Sequence, residues 1–113
     1  MTQFEFVFEP IRPTTPEQQP KATIAQRFAQ FHASNPQVYS MLVSLARGLR
    51  TKRPRKLGIK MLFEVLRWQY YLQTDSDEEY KLSNDFTAPY ARLIMDQEPD
   101  LQNAFNTRPS QVD

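Results

Sequence analysis

The sequence predicts a mainly α protein, a compact bundle of four to five helices with an extended N-terminal arm and at most short β-strands. Three observations carry that prediction. Only two of the 113 residues are glycine, against a usual share of ~7%. Tight hairpins and phosphate-cradling loops need the backbone freedom of glycine, so an all-β fold and a Gly-rich nucleotide site are both disfavoured. Apolar residues recur at helical spacing over 24–31, 39–49 and 59–70. Strand-like alternation is confined mainly to the first ten residues.

Residues 1–20 read as an extended arm. Phe4, Phe6 and Phe8 alternate with more polar neighbours, and Pro10, Pro13, Pro16 and Pro20 keep the chain from coiling. A lone strand cannot satisfy its own backbone. The arm therefore docks on its own domain, adds to a short strand, or pairs between subunits of a homodimer. Residues 21–108 form the helical domain and 109–113 a flexible tail.

The first helix spans 21–34 with Ile24, Phe28 and Phe31 on its inner face. Ser34-Asn35-Pro36 stops it and starts the next, with a capping residue ahead of proline at the first helical position. That second helix turns Tyr39, Leu42, Val43, Ala46 and Leu49 inward and Arg47 and Arg50 outward. Thr51 to Leu57 is a basic loop broken by Pro54. Gly58 to Gln73 is the strongest helix and the centre of the domain. Ile59, Leu62, Phe63, Leu66 and Tyr70 form one stripe, which Val65, Trp68 and Leu72 widen. A narrow polar face holds Lys60, Glu64, Arg67 and Tyr71. Residues 74–79 are an acidic loop, and Tyr80-Lys81-Leu82 suits a short strand. Ser83, Asn84 and Asp85 offer caps for a helix that runs to Gln97 with Pro89 in its first turn. Tyr90, Leu93 and Ile94 face inward. Pro99 opens a last short helix carrying Leu101 and Phe105.

The length suits one domain, and 40% hydrophobic with 24% charged residues is a globular composition. There is no cysteine, which excludes disulfides, thiol catalysis and thiolate metal sites. The N-terminus lacks the basic and apolar regions of a signal peptide. No apolar run approaches the ~20 residues of a membrane span. These features predict a soluble, cytoplasmic protein.

The net charge of +1 conceals a strong polarity. From Gln18 to Phe63 there are nine bases and no acid; from Glu64 to the end there are ten acids and four bases. Seven bases, Arg47, Arg50, Lys52, Arg53, Arg55, Lys56 and Lys60, lie within 14 residues. Such a cluster usually meets a polyanion, an anionic membrane or an acidic protein face, and of these a membrane is not expected as a partner. Arg47 and Arg50 share a helix face, the next four follow directly, and Lys60 begins the next helix, so one patch can gather them. Cations at a helix C-terminus also offset its dipole, which accounts for some of them without any ligand.

Phe31-His32 is followed by Asn35-Pro36 and Val38-Tyr39. Further on come Ile59-Lys60, Leu62, Glu64-Val65-Leu66-Arg67-Trp68, Tyr80-Lys81-Leu82, Asn84 and Phe86. Tyr90-Ala91-Arg92-Leu93-Ile94-Met95, Pro99, Leu101, Phe105 and Arg108 complete the set. In these positions the chain resembles a family of small phage- and prophage-encoded proteins with no assigned activity. The resemblance covers most of the sequence beyond the arm. It implies a mobile-element origin in a bacterial host, a compact helical fold and no catalytic residue. The phenylalanine arm and the basic loop fall outside its pattern.

Other chemistries are weaker. Asn84, Thr87 and Arg92 suit secondary base or phosphate contacts if 58–73 and 84–97 act as a helix-turn-helix, but the connection is long and acidic. Asp96, Glu98 and Asp100 would repel phosphate, and Asn84 and Thr87 read equally as caps. His32 alone makes neither a metal site nor a triad. The acids at 75, 77, 78 and 79 lack the alternation and glycine of a calcium loop. Trp68, Tyr70 and Tyr71 could stack bases, although their helix favours core packing. No cofactor, metal or enzymatic activity is expected. The leading expectation is a phage-type accessory protein that binds DNA or RNA through residues 47–60. The alternative is an anti-defence inhibitor or adaptor that docks on an acidic face of a host protein.

Overall fold

A computed structural model describes residues 11–12, 22–52, 55–74 and 80–106. These form a compact, mainly helical bundle: α1 (Ile24–Ser34), α2 (Pro36–Lys52), α3 (Ile59–Gln73) and α4 (Thr87–Gln97). Single 3₁₀ turns, Asn84–Phe86 and Pro99–Leu101, precede and follow α4. Most of the arm, Arg53, the acidic run 75–79 and the tail lie outside the described residues.

Thr23 starts α1 through a reciprocal capping box. Its hydroxyl accepts from the Gln26 amide at 3.1 Å, and the Gln26 side chain accepts from the Thr23 amide at 2.9 Å. The inner face begins at Phe28, one turn later than the sequence suggests, because Ile24 is 45% exposed. Phe28 meets Tyr90 edge-on at 4.7 Å, and Phe31 meets Phe86 at 5.0 Å. Such offset ring pairs add to the area they bury.

Pro36 opens α2 as expected, and its buried face is Val38, Met41, Leu42, Val43, Leu45 and Ala46. The helix runs to Lys52, past the predicted loop start, and the Thr51 hydroxyl donates back to the Arg47 carbonyl at 2.8 Å. Ahead of α3, the Leu57 amide donates to the Ala104 carbonyl at 2.7 Å, in an isolated parallel bridge with Phe105. That bridge ties the start of α3 to the C-terminal part of the core.

α3 packs on both α2 and α4. It buries Leu62, Phe63 and Leu66 completely, while Ile59, Val65 and Tyr70 are partly covered. Trp68 and Leu72 depart from expectation: they are 62% and 68% exposed. The helix is apolar over more of its girth than its two neighbours can cover, so part of that girth faces outward.

Tyr80 and Leu82 are buried and Lys81 is exposed, the alternation of a strand. No strand forms there. The Leu82 amide turns back to the Tyr80 carbonyl at 2.8 Å, and Arg67 Nη2 donates to the Leu82 carbonyl at 2.6 Å. A guanidinium thus meets a backbone need that a neighbouring strand would otherwise satisfy. Ser83 caps the 3₁₀ turn by accepting from the Asp85 amide, and Tyr90 and Ile94 of α4 complete the core.

Candidate binding surface

Six of the seven predicted cations fall into three groups. Arg47 is already occupied. Its Nε donates to Asp100 Oδ2 at 2.9 Å, and its Nη2 donates to Glu98 Oε1 at 2.6 Å and Asp100 Oδ1 at 3.1 Å. The Tyr39 hydroxyl donates to the other Glu98 oxygen at 2.8 Å. These contacts show in the proton affinities. The Arg47 hydrogen bond holds the Asp100 carboxyl below its ordinary range, and the bond to Asp100 raises the guanidinium further. Burial, then the bond to Glu98, pushes the Tyr39 phenol above its usual value. Two carboxylates offset the charge of Arg47, so its role is to fasten α2 to the turn after α4. The sequence supplied both acids but not their proximity, since Glu98 and Asp100 lie 51 and 53 residues away.

Arg50 forms the second group. It is half-buried, its Nη1 is enclosed without a hydrogen-bond partner, and its charge helps to hold the Asp100 carboxyl low.

Lys52, Arg55, Lys56 and Lys60 form the third. All four are exposed, and no ion pair among the described residues engages them. Lys52, Arg55 and Lys56 line a cleft of about 300 Å³ with Leu49, Leu57, Gly58 and Met61. Lys60 lies on the first turn of α3, next to Met61. The cleft has apolar walls and a cationic rim, where sequence reasoning had expected only a charged loop. Leu57 is drawn in by its bridge to Phe105, and Met61 stays 46% exposed. The seventh cation, Arg53, lies outside the described residues.

Asn84, Thr87 and Arg92 do not join this cleft. Asn84 Oδ1 accepts from Arg67 Nη2 at 2.7 Å, and Thr87 Oγ1 donates to the Asn84 carbonyl at 3.0 Å. Arg67 Nη1 in turn donates to Glu64 at 2.6 Å. Asn84 and Thr87 thus join α3 to the start of α4, and Arg92 is an exposed residue of α4.

His32 stacks on Phe28 with ring centroids 5.9 Å apart and lies near Tyr39 and Tyr90. It is an aromatic packing residue. Among the described residues no group of three potential metal ligands occurs, and no helix is long and apolar enough to cross a membrane. Tyr70 is partly buried against the core and packs on Tyr80 with centroids 4.7 Å apart. Trp68 and Tyr71 do not follow it: they pair with each other at 6.2 Å and are 62% and 64% exposed.

No protein-family model matches the chain, and comparison with curated proteins and with solved structures finds no significant match.

Proposed function

We propose that this chain is a non-enzymatic binding protein that receives an acidic segment of a protein partner in the cationic cleft between α2 and α3. One observation carries this reading: Lys52, Arg55 and Lys56 surround walls made by Leu49, Leu57 and Met61. A phosphate backbone gains from the cations and little from apolar walls. A peptide with carboxylates beside an apolar anchor gains from both. With the resemblance to phage-encoded proteins, this favours an inhibitor or adaptor that docks on a host complex in the bacterial cytoplasm. Nucleic acid binding is the second reading, favoured by four exposed cations with no acidic partner among the described residues.

Fluorescence anisotropy with three labelled probes separates the readings. The probes are a peptide of glutamates around a central leucine, the same peptide with serine for leucine, and a short DNA duplex. The leucine peptide should bind tightest and lose affinity with Lys52→Ala/Arg55→Ala/Lys56→Ala and with Met61→Ser. Duplex binding tighter than the non-specific range of ~10⁻⁴ M, with a log–log salt slope of ~−0.9 per phosphate and no preference for the leucine peptide, would replace this reading with the second.

A further inference from the structure

The geometry points to a second function for α3: it is the seam of an antiparallel two-fold dimer. Met61, Val65, Trp68 and Leu72 are spaced 4, 3 and 4 residues apart, the spacing of a coiled-coil seam. Three of them are among the five large hydrophobic residues left exposed among the described residues, at 46%, 62% and 68%. Leu62, Phe63 and Leu66 turn to the core, so the seam is a second apolar stripe on the same helix.

The surface there is already shaped for a partner helix. Val65, Trp68, Gln69 and Leu72 line a hollow, and their i, i+3, i+4, i+7 arrangement is that of the four residues around one knob-accepting hole. Antiparallel pairing about the helix midpoint sets Met61 of one copy against Leu72 of the other, and Val65 against Trp68. Val65 of the second copy then fills the hollow.

Charge decides the direction. Lys56 and Lys60 stand at the N-terminal end of α3, while the chain leaving its C-terminal end carries Asp75, Asp77, Glu78 and Glu79. An antiparallel pair brings the lysine-bearing end of each α3 to the end of the other that leads into this acidic sequence, and it opposes the helix dipoles favourably. A parallel pair would set the lysine-bearing ends together and Trp68 against Trp68. A two-fold axis uses the same patch on both copies, so the assembly closes as a dimer. The helix is only about 22 Å long at 1.5 Å per residue, so the interface is small and the dimer reversible. Met61 also lines the cationic cleft, so closing the seam and filling the cleft exclude one another.

Sedimentation velocity of the full chain, from low micromolar to near-millimolar concentration, tests this without reference to what the cleft binds. The expected result is a monomer–dimer equilibrium whose dissociation constant rises roughly tenfold or more with Trp68→Glu or Leu72→Lys. Both positions are exposed, so the circular dichroism of either variant should match the parent. The chain has no cysteine, so disulfide trapping reports direction. A mixture of Met61→Cys and Leu72→Cys chains should oxidise to the mixed dimer, and Met61→Cys alone should not cross-link. A monomer at every concentration, a dimer indifferent to Trp68→Glu, or efficient Met61→Cys self-linkage would overturn the proposal.

Discussion

The side chain of Asn35 and the backbone of Arg12 are hydrogen-bonded in both directions. The Arg12 amide donates to Asn35 Oδ1 at 2.7 Å, and Asn35 Nδ2 donates to the Arg12 carbonyl at 3.2 Å. The same Nδ2 donates to the Phe31 carbonyl at the end of α1, also at 3.2 Å. A side-chain amide thus presents the donor–acceptor pair that a neighbouring strand would, and it does so fully buried. Asn35, expected only to cap α2, joins the end of α1 to a segment 23 residues earlier. Ile11, next to that junction, packs against the core.

Asn35→Ala should therefore cost about 1–3 kcal/mol, because the Arg12 amide and carbonyl lose the side-chain amide that pairs with them, while the Phe31 carbonyl keeps only the backbone amide of residue 35. The Arg12 amide should also lose its protection from hydrogen exchange. A variant that keeps both the denaturation midpoint and the Arg12 protection would refute the link.

Leu66 lies mid-stripe on α3 and is fully buried. Leu66→Ala should lower unfolding free energy by about 2–5 kcal/mol. Glu64→Ala, at an exposed position whose ion-pair partner among the described residues is Arg67, should cost under about 1 kcal/mol. Urea denaturation of the two variants side by side is the check, and equal midpoints would mean a different rotation of α3.

Arg47 and the cleft cations should separate stability from binding. Arg47→Gln is expected to lower the melting temperature and leave peptide binding nearly unchanged. Lys52→Ala/Arg55→Ala/Lys56→Ala should do the reverse. The Asp100 carboxyl has a depressed proton affinity in the folded chain. Its contribution is therefore complete above the unfolded carboxylate value of about 4 and is lost as pH falls through the lower folded value. The stability gap between the parent chain and Arg47→Gln should narrow below about pH 4, as measured by thermal melts.

Tyr90 Oη is buried and has no hydrogen-bond partner among the described residues, and burial pushes the phenol above its ordinary proton affinity. Tyr90→Phe should leave stability unchanged or raise it by up to about 1 kcal/mol, since it removes a buried polar atom that gains nothing in return. A loss above about 1 kcal/mol in chemical denaturation would show that the hydroxyl is paired.

The sequence by itself determined the helices. Periodicity over 39–49 and 59–70, Pro36 at a helix start and the scarcity of glycine are local signals, and local hydrogen bonding turns them into α2, α3 and their neighbours. The burial of Leu62, Phe63, Leu66, Tyr90 and Ile94 was legible for the same reason. Tertiary structure alone decided which charges and which apolar faces remain available. Arg47 reads like Lys52 in the sequence, yet it is fastened to Glu98 and Asp100 because the end of α4 turns back onto α2. Trp68 and Leu72 read like Leu66, yet they face outward because α2 and α4 cover only one side of α3. The cleft at Met61 exists because Leu57 bridges to Phe105, 48 residues away in the chain. A pattern within one helix records how much of its girth is apolar, while the packing of distant segments sets how much of that girth is covered.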